Sequence, residues 1–249
     1  MSNLAKKTVF GSFDLAAETY DRAASVQAQI ALRLVQKALK RLPHPPETIL
    51  DIGSGTGFAA IAAARYWPFA HITAMDAASA MLDEVRRKLP SIQTVRGDIA
   101  NIELKPRYDA ILSSMAMHWL RDLQKPLMQW QKCLKPDGKL FIALLVDGSF
   151  SEWREMCGEY GERDGLWPFP PADFADGIAT QSEIEEITVE YASTTHFLRQ
   201  LKSIGAATPR PGHRPFDVAL MRKILAAAPV PFSATYRVLY IEAPSPDSI

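Results

Sequence analysis

The segment Ile49-Leu50-Asp51-Ile52-Gly53-Ser54-Gly55-Thr56-Gly57 concentrates the chemistry-bearing residues of this chain. An apolar run suited to a buried strand passes straight into a loop with glycine at alternate positions, and the alanine-rich Phe58–Tyr66 continues it as a helix. Glycines at 53, 55 and 57 permit backbone angles closed to other residues and let a ligand approach the main chain. In open α/β sheets ligands lie outside the carboxyl ends of the strands, where this loop falls. The dinucleotide fingerprint G-x-G-x-x-G places its last glycine one residue later. Here the spacing is G-x-G-x-G, with Asp51 two residues before the first glycine. A phosphate cradle has no use for a carboxylate there, whereas a ligand with an ammonium group does. The pattern therefore points to S-adenosylmethionine rather than a nicotinamide cofactor; the competing reading is a structural glycine turn.

Further positions follow in register. Asp76 closes the second apolar run, 25 residues after Asp51. A carboxylate at that strand end can accept both ribose hydroxyls, or it can cap the helix that starts near Ser79. Gly97-Asp98-Ile99 follows the third run. There Asp98 is expected to take an adenine amino group and Ile99 to pack on the ring, unless Gly-Asp is only a turn. Met81, one turn into the next helix, covers the adenine or belongs to the core.

These residues require a scaffold of alternating elements. Thr48–Ile52, His71–Met75, Ile92–Val95, Tyr108–Ser113 and Lys139–Val146 read as strands, and Phe58–Tyr66, Ser79–Leu89 and 122–134 as the helices between them. The turn Pro136-Asp137-Gly138 precedes the fifth strand. Near-continuous apolar strands alternating with helices mean an α/β fold with a parallel sheet. Upstream, Val26, Ile30, Leu34 and Val35 repeat at helical spacing. Downstream, Ser149-Phe150-Ser151-Glu152 has the form of a capping box opening a helix to about residue 160. Ile184–Ala192 reads as a strand, Thr194–Ile204 and Phe216–Ala227 as helices, and Ser233–Ala243 as a last strand. The expected organisation is one domain over 1–249: an N-terminal helical cap at 1–42, a cofactor-binding core at 46–146, and cap inserts with the last two strands at 147–249.

The composition is that of a soluble globular protein: 47 % apolar, 22 % charged, and only Cys133 and Cys157 as cysteines. That excludes a disulfide framework and a zinc cluster, so no metal site is expected, and it fits a reducing, cytoplasmic setting. No apolar run approaches the roughly 20 residues that span a bilayer, so no membrane association is expected. Asp14, Glu18 and Asp21 interrupt the N-terminal stretch before any apolar core, which speaks against a signal peptide. Lysine plus arginine equals aspartate plus glutamate at 28 each, without the basic excess of a nucleic-acid binder. The charges are uneven: residues 1–41 carry a balance of +4, residues 42–190 carry −8, and residues 191–249 carry +4.

Over residues 46–146 the sequence resembles the class I S-adenosylmethionine-dependent methyltransferases, with four loops matched in order. The resemblance implies a Rossmann-like, mostly parallel seven-stranded sheet with a reversed last strand and a helical cap. A narrower resemblance is to the malonyl-acyl carrier protein O-methyltransferases of biotin synthesis. It is carried by Phe13-Asp14-Leu15-Ala16-Ala17-Glu18-Thr19-Tyr20-Asp21 with Ala23 and Val26-Gln27, by Ser113-Ser114-Met115-Ala116-Met117-His118-Trp119-Leu120, and by Phe197-Leu198-Arg199-Gln200-Leu201-Lys202-Ser203-Ile204-Gly205-Ala206. The same features partly recur in trans-aconitate methyltransferase and in a respiratory complex I assembly factor. A methyltransferase for a small free acid and a non-catalytic S-adenosylmethionine-binding assembly factor are thus the alternative functions. The chain departs from the family in a short link between Ala206 and Phe216, in its proline-rich 209–215 run, and in Ser114, where the family often has Asn.

The narrower resemblance implies S-adenosylmethionine as cofactor and the free carboxylate of a malonyl thioester on acyl carrier protein as acceptor. It places Ser113 with the cofactor, and Gln27 toward the cofactor's methionine carboxylate if it is not a surface residue. Tyr20 is expected to hydrogen-bond the acceptor carboxylate or the cofactor, unless it only packs. His118 and Trp119 are expected near the methyl, His118 as a base or simply packed beside Trp119. Arg199 is expected to orient the acceptor carboxylate, unless it is a helix-surface charge. Between 191 and 223 stand Arg199, Lys202, Arg210, Arg214, Arg222 and Lys223 against Asp217 alone. A basic rim of this kind suits a strongly acidic carrier protein and would speed encounter; an ordinary solvated face is the other reading.

Overall fold

The computed structural model describes residues 3–102, 108–206, 208–209 and 212–248. Successive residues of a strand point to opposite faces, and the inner strands here are apolar on both. Along β1 (Thr48–Ile52), Ile49 joins one core and Leu50 and Ile52 the other. Such strands must be covered twice, and helices lie on both faces. β1, β2 (His71–Asp76), β3 (Gln93–Arg96), β4 (Tyr108–Ser114), β5 (Leu134–Leu145), β6 (Gln181–Tyr191) and β7 (Phe232–Pro244) form one seven-stranded sheet in the order β3-β2-β1-β4-β5-β7-β6. The pairs β1–β2, β1–β4, β2–β3 and β4–β5 are parallel. β7 runs antiparallel to β5 and β6 and sits between them, so the reversed strand lies inside the sheet rather than at its edge. Strand order reverses between β1 and its neighbour β4, and the crevice at such a switch point is where open α/β sheets bind ligands.

The helices are α1 (Asn3–Ala23), α2 (Ser25–Arg41), α3 (Phe58–Tyr66), α4 (Ser79–Lys88), α5 (Gln124–Gln131), α6 (Ser151–Glu159), α7 (Thr194–Ser203) and α8 (Val218–Ala227). The apolar stripe Val26, Ile30, Leu34 and Val35 is buried, and α2 packs beside α3 on the sheet. α1 instead packs on α4 and α7. Its polar ties include these: Asp14 accepts from the Ala80 N–H at 2.9 Å, Asp21 accepts from the Thr56 hydroxyl at 2.6 Å and pairs with Lys88 at 2.5 Å, the Ser12 and Thr208 hydroxyls lie 3.1 Å apart, and Gln200 donates to the Ala23 carbonyl at 2.6 Å.

Three local expectations are corrected. The capping box at 149–152 does not form: α6 begins after Phe150, which has a φ of 57°. The Ser149 hydroxyl accepts from the Arg237 N–H at 3.0 Å, and Glu152 accepts from the Thr235 N–H and hydroxyl, so both side chains hold β7 instead of the helix end. β5 does not start after the turn at 136–138. It starts at Leu134 and carries the turn as an irregularity, pairing Leu134 with Tyr108 and then Lys139 with Ala110. A Cβ on Gly138 would lie 2.7 Å from the Tyr108 carbonyl oxygen, so only glycine fits that approach. β6 begins three residues before Ile184, because its first four side chains, Gln181 to Ile184, are exposed and show no apolar alternation.

Candidate active site

A cavity opens at the carboxyl ends of β1, β2 and β4 under α1. Its floor is the glycine loop. Gly53, Gly55 and Gly57 all have positive φ, at 67°, 52° and 92°. Gly53 must be glycine, because a Cβ there would lie 2.3 Å from that of Ala116. A Cβ on Gly55 would meet no atom within 4 Å. The main chain is therefore bare where it faces the cavity, as close ligand approach requires. Gly57 turns the chain into α3.

Asp51 is 1 % exposed and lines the cavity. One carboxylate oxygen accepts from the Ala60 N–H at 3.0 Å, and the other has no partner. Burial raises its pKa to about 7, with the Asp76 charge adding to the shift and the Ala60 hydrogen bond opposing it. A buried carboxylate held this way is short of a cation. Asp76 also lines the cavity, with Oδ2 accepting from the Gly55 N–H and Oδ1 from the Ala78 N–H, both at 2.9 Å. Burial moves its pKa up, against these N–H donors. Met81 and Ile99 are buried and line the same cavity.

Buried polar atoms normally find partners, so orphans indicate a missing one. Among the described residues Asp51 Oδ1, Ser54 Oγ and Ser114 Oγ are such orphans, and all three residues line this cavity. An unpaired carboxylate, bare glycine backbone, two spare hydroxyls and an apolar flank fit a ligand with an ammonium group, a polar middle and a flat apolar ring. That is the donor set S-adenosylmethionine needs.

Beside this cavity lies a second chamber, lined mainly by aromatic and aliphatic side chains. Phe13, Tyr20, Gln27, Met115 and Trp119 line both and form the partition. Phe13 meets Trp119 edge-on at 5.6 Å, and Trp119 lies 6.0 Å from Trp167. Tyr20 has its pKa raised, first by burial and then by Asp76 and Asp21. Gln27 is buried at the partition and is not a surface residue. His118, on the 3₁₀ turn Met117–Trp119, lines the second chamber only; it is buried and its Nδ1 has no partner. Burial pushes its pKa down to about 3, so the ring is neutral.

Four expected residues are not brought to these chambers; one is Gly57, where an added Cβ would meet Val85 at 3.1 Å. Ser113 is fully buried and donates to the Ile52 carbonyl at 2.9 Å, tying β4 to β1. Strand alternation turns its neighbour Ser114 to the cavity instead. Asp98 Oδ1 accepts from the Ala100 N–H at 2.9 Å in a turn, and only Ile99 of that pair reaches the cavity. Arg199 is exposed on α7, whose buried residues Thr194, Phe197 and Leu201 occupy the opposite face. Phe13, Ser54, Ser114, Met115, Trp167 and Phe169 also line the chambers and were not among the expected site residues. Met115 carries a detectable signature only in the backbone, a φ of 57° in a residue that is not glycine, and such strain collects at functional sites.

Comparison with known proteins agrees with this geometry. A family described as "Methyltransferase domain" matches residues 49–138. The chain is 34 % identical over 239 residues to a malonyl-acyl-carrier protein O-methyltransferase of Magnetococcus marinus, a match covering 89 % of this chain and 86 % of that one. It is 30 % identical over 260 residues to a protein of the same name from Halorhodospira halophila, covering 94 % and 86 %. Among solved structures, the YcgJ protein of Bacillus subtilis superposes with a TM-score of 0.58 at 15 % identity over 86 % of this chain and 98 % of that one, a likeness of fold.

Proposed function

This chain belongs to the malonyl-acyl-carrier protein O-methyltransferase family, and we propose that it methylates the free carboxylate of a malonyl thioester borne on acyl carrier protein, an early step of biotin synthesis in the cytoplasm. When bound, S-adenosylmethionine supplies an electrophilic methyl group on a sulfonium. The observation that carries the reading is the shared partition: the cavity with the unpaired Asp51 opens onto an aromatic chamber across Tyr20, Gln27, Met115 and Trp119.

Each residue then has a part. Asp51 Oδ1 holds the cofactor's ammonium group. Asp76 presents its carboxylate to the ribose while clamping Gly55. Met81 and Ile99 flank the adenine, and Ser114 offers its spare hydroxyl. Gln27 and Tyr20 hydrogen-bond groups on either side of the partition. The acceptor carboxylate is ionised at neutral pH and needs no general base. Held by Asp51 and Asp76, the cofactor would supply its methyl to that carboxylate, and the opposite charges of the two would be lost in a neutral ester and thioether. Opposite charges that vanish in the product react faster where water is excluded. The ring of Phe13, Trp119, Trp167 and Phe169 provides that exclusion, and proximity supplies the rest. A neutral His118 in the acceptor chamber hydrogen-bonds the thioester end rather than serving as a base.

Mass spectrometry of malonyl-acyl carrier protein after incubation with cofactor and enzyme tests this. The expected result is a mass gain of one methylene on the malonyl group, reversed by mild esterase treatment. An unmodified carrier, with methylation of a small free acid instead, overturns it.

A further inference from the structure

We propose that the groove between α7 and α8 is the route by which the carrier's prosthetic arm reaches the acceptor chamber, with Lys202 and Arg222 docking the acidic carrier at its mouth. This rests on the carrier reading above. The groove is open to solvent and is walled by Leu198, Phe216, Val218 and Met221. Val218 is 66 % exposed, and an apolar trough at the surface of a globular chain suits an occupant. Its inner end abuts the acceptor chamber, because Leu166, Leu201 and Ala206 line both and stand between them.

The occupant follows from charge and shape. A flexible amide chain ending in a thioester suits an apolar trough, and the phosphodiester that joins it to an acidic protein suits a cationic rim. Lys202 and Arg222 line the groove, and Lys223 and Arg214 stand exposed nearby; among the described residues none of the four has an ion-pair partner. Arg210 lies outside the described residues. The one acidic group of the stretch, Asp217, accepts from the Ala219 and Leu220 N–H groups and caps α8. A second cleft, walled by Arg121, Arg154 and Arg163, also abuts the chamber. There the way in is shut by aromatic rings: Phe169 lies against His118 and Phe150, and Arg154 lies over Phe169 at 5.3 Å. Arg154 is further bound to Asp164 and to the Ser149 and Trp167 carbonyls.

The experiment compares steady-state kinetics on malonyl-acyl carrier protein and on a malonyl thioester of the free arm. The double variant Lys202→Glu/Arg222→Glu should lose kcat/KM on the carrier by on the order of tenfold or more, with a flatter salt dependence, and keep its rate on the free thioester. Val218→Trp, which narrows the trough at an exposed position, should lose on both substrates. Both variants should keep the wild-type melting temperature and cofactor affinity by calorimetry. Arg121→Glu/Arg163→Glu at the second cleft should behave as wild type. Groove variants with wild-type kcat/KM on the carrier, or a loss confined to the second-cleft pair, overturn the route while leaving carrier methylation intact. A wild-type enzyme that does not modify the carrier overturns both.

Discussion

Asp76, at the end of β2, accepts the backbone N–H of Gly55 at 2.9 Å, so the carboxylate that closes one strand holds the loop that leaves another. The same side chain is thus both a wall of the cofactor cavity and a brace for its floor. Asp76→Ala strands the Gly55 and Ala78 N–H groups, at about 1.5–3 kcal/mol for each hydrogen bond to a charged group. The melting temperature should fall by roughly 2–4 °C per kcal/mol, and cofactor affinity by on the order of tenfold. Asp76→Asn keeps one acceptor and should lose less stability for a similar loss of affinity. Calorimetry with thermal denaturation separates the two: unchanged affinity in a destabilised variant would leave only the brace.

Asp51 ionises near pH 7 in the empty protein. Its folded pKa lies above the ordinary carboxylate value of 3.8, so the native state holds an extra proton between pH 4 and 7. The unfolded state binds fewer protons there, and the group's contribution to stability is lost as pH rises toward 7. An ammonium ligand needs the ionised form. Thermal upshift by S-adenosylmethionine should therefore be larger at pH 8 than at pH 6, and Asp51→Asn should flatten that difference. An equal upshift at both pH values would take Asp51 away from the ligand.

The two cavity glycines should fail in opposite ways. Gly53→Ala places a methyl 2.3 Å from the Ala116 Cβ and should destabilise the fold, seen as a lower melting temperature. Gly55→Leu meets no atom near its Cβ and costs only the left-handed backbone, about 1–2 kcal/mol. Its side chain enters the cavity, so cofactor binding should vanish in a folded protein. A Gly55→Leu variant that binds normally would place the cofactor elsewhere.

His118 is neutral across the working pH range because its pKa is pushed down to about 3. The pH–rate profile should show no limb near 6.5. A general base is worth about 10²–10⁴-fold, and a carboxylate acceptor needs none. His118→Asn should therefore cost on the order of tenfold or less in kcat, with the larger effect on the acceptor's KM. A loss of 10³-fold in kcat at saturating acceptor would show that His118 moves a proton.

Some of the site could be read directly from the chain. The glycine loop was legible because bare backbone can be supplied only by glycine, and Asp51 and Asp76 because carboxylates at buried strand ends are costly without a partner. Ser113 and Ser114 were not separable, since which of two adjacent residues faces a cavity depends on register set by β1 and β5. Arg199 was misplaced because its helix face is fixed by the burial of Phe197 and Leu201, with Phe197 packed against Tyr191 of β6 and Phe232 of β7. The 149–152 capping box was locally well formed but lost to stronger tertiary partners on β7. Phe13 carries no local mark of function; it becomes a wall only when α1 crosses to meet Trp119.

The ties of α1 bear on how the protein folds. Ala23 is bound by Gln200, 177 residues away in sequence, and Ser12 by Thr208, 196 away. The pairs β1–β2 and β2–β3 join segments 23 and 20 residues apart. Closing a longer loop costs more entropy, and contacts distant in sequence form more slowly. The ties of α1 to Gln200 and Thr208 therefore close longer loops than these strand pairs, and the cavity wall that α1 supplies depends on them. A ligand that binds only with α1 docked stabilises that form by mass action.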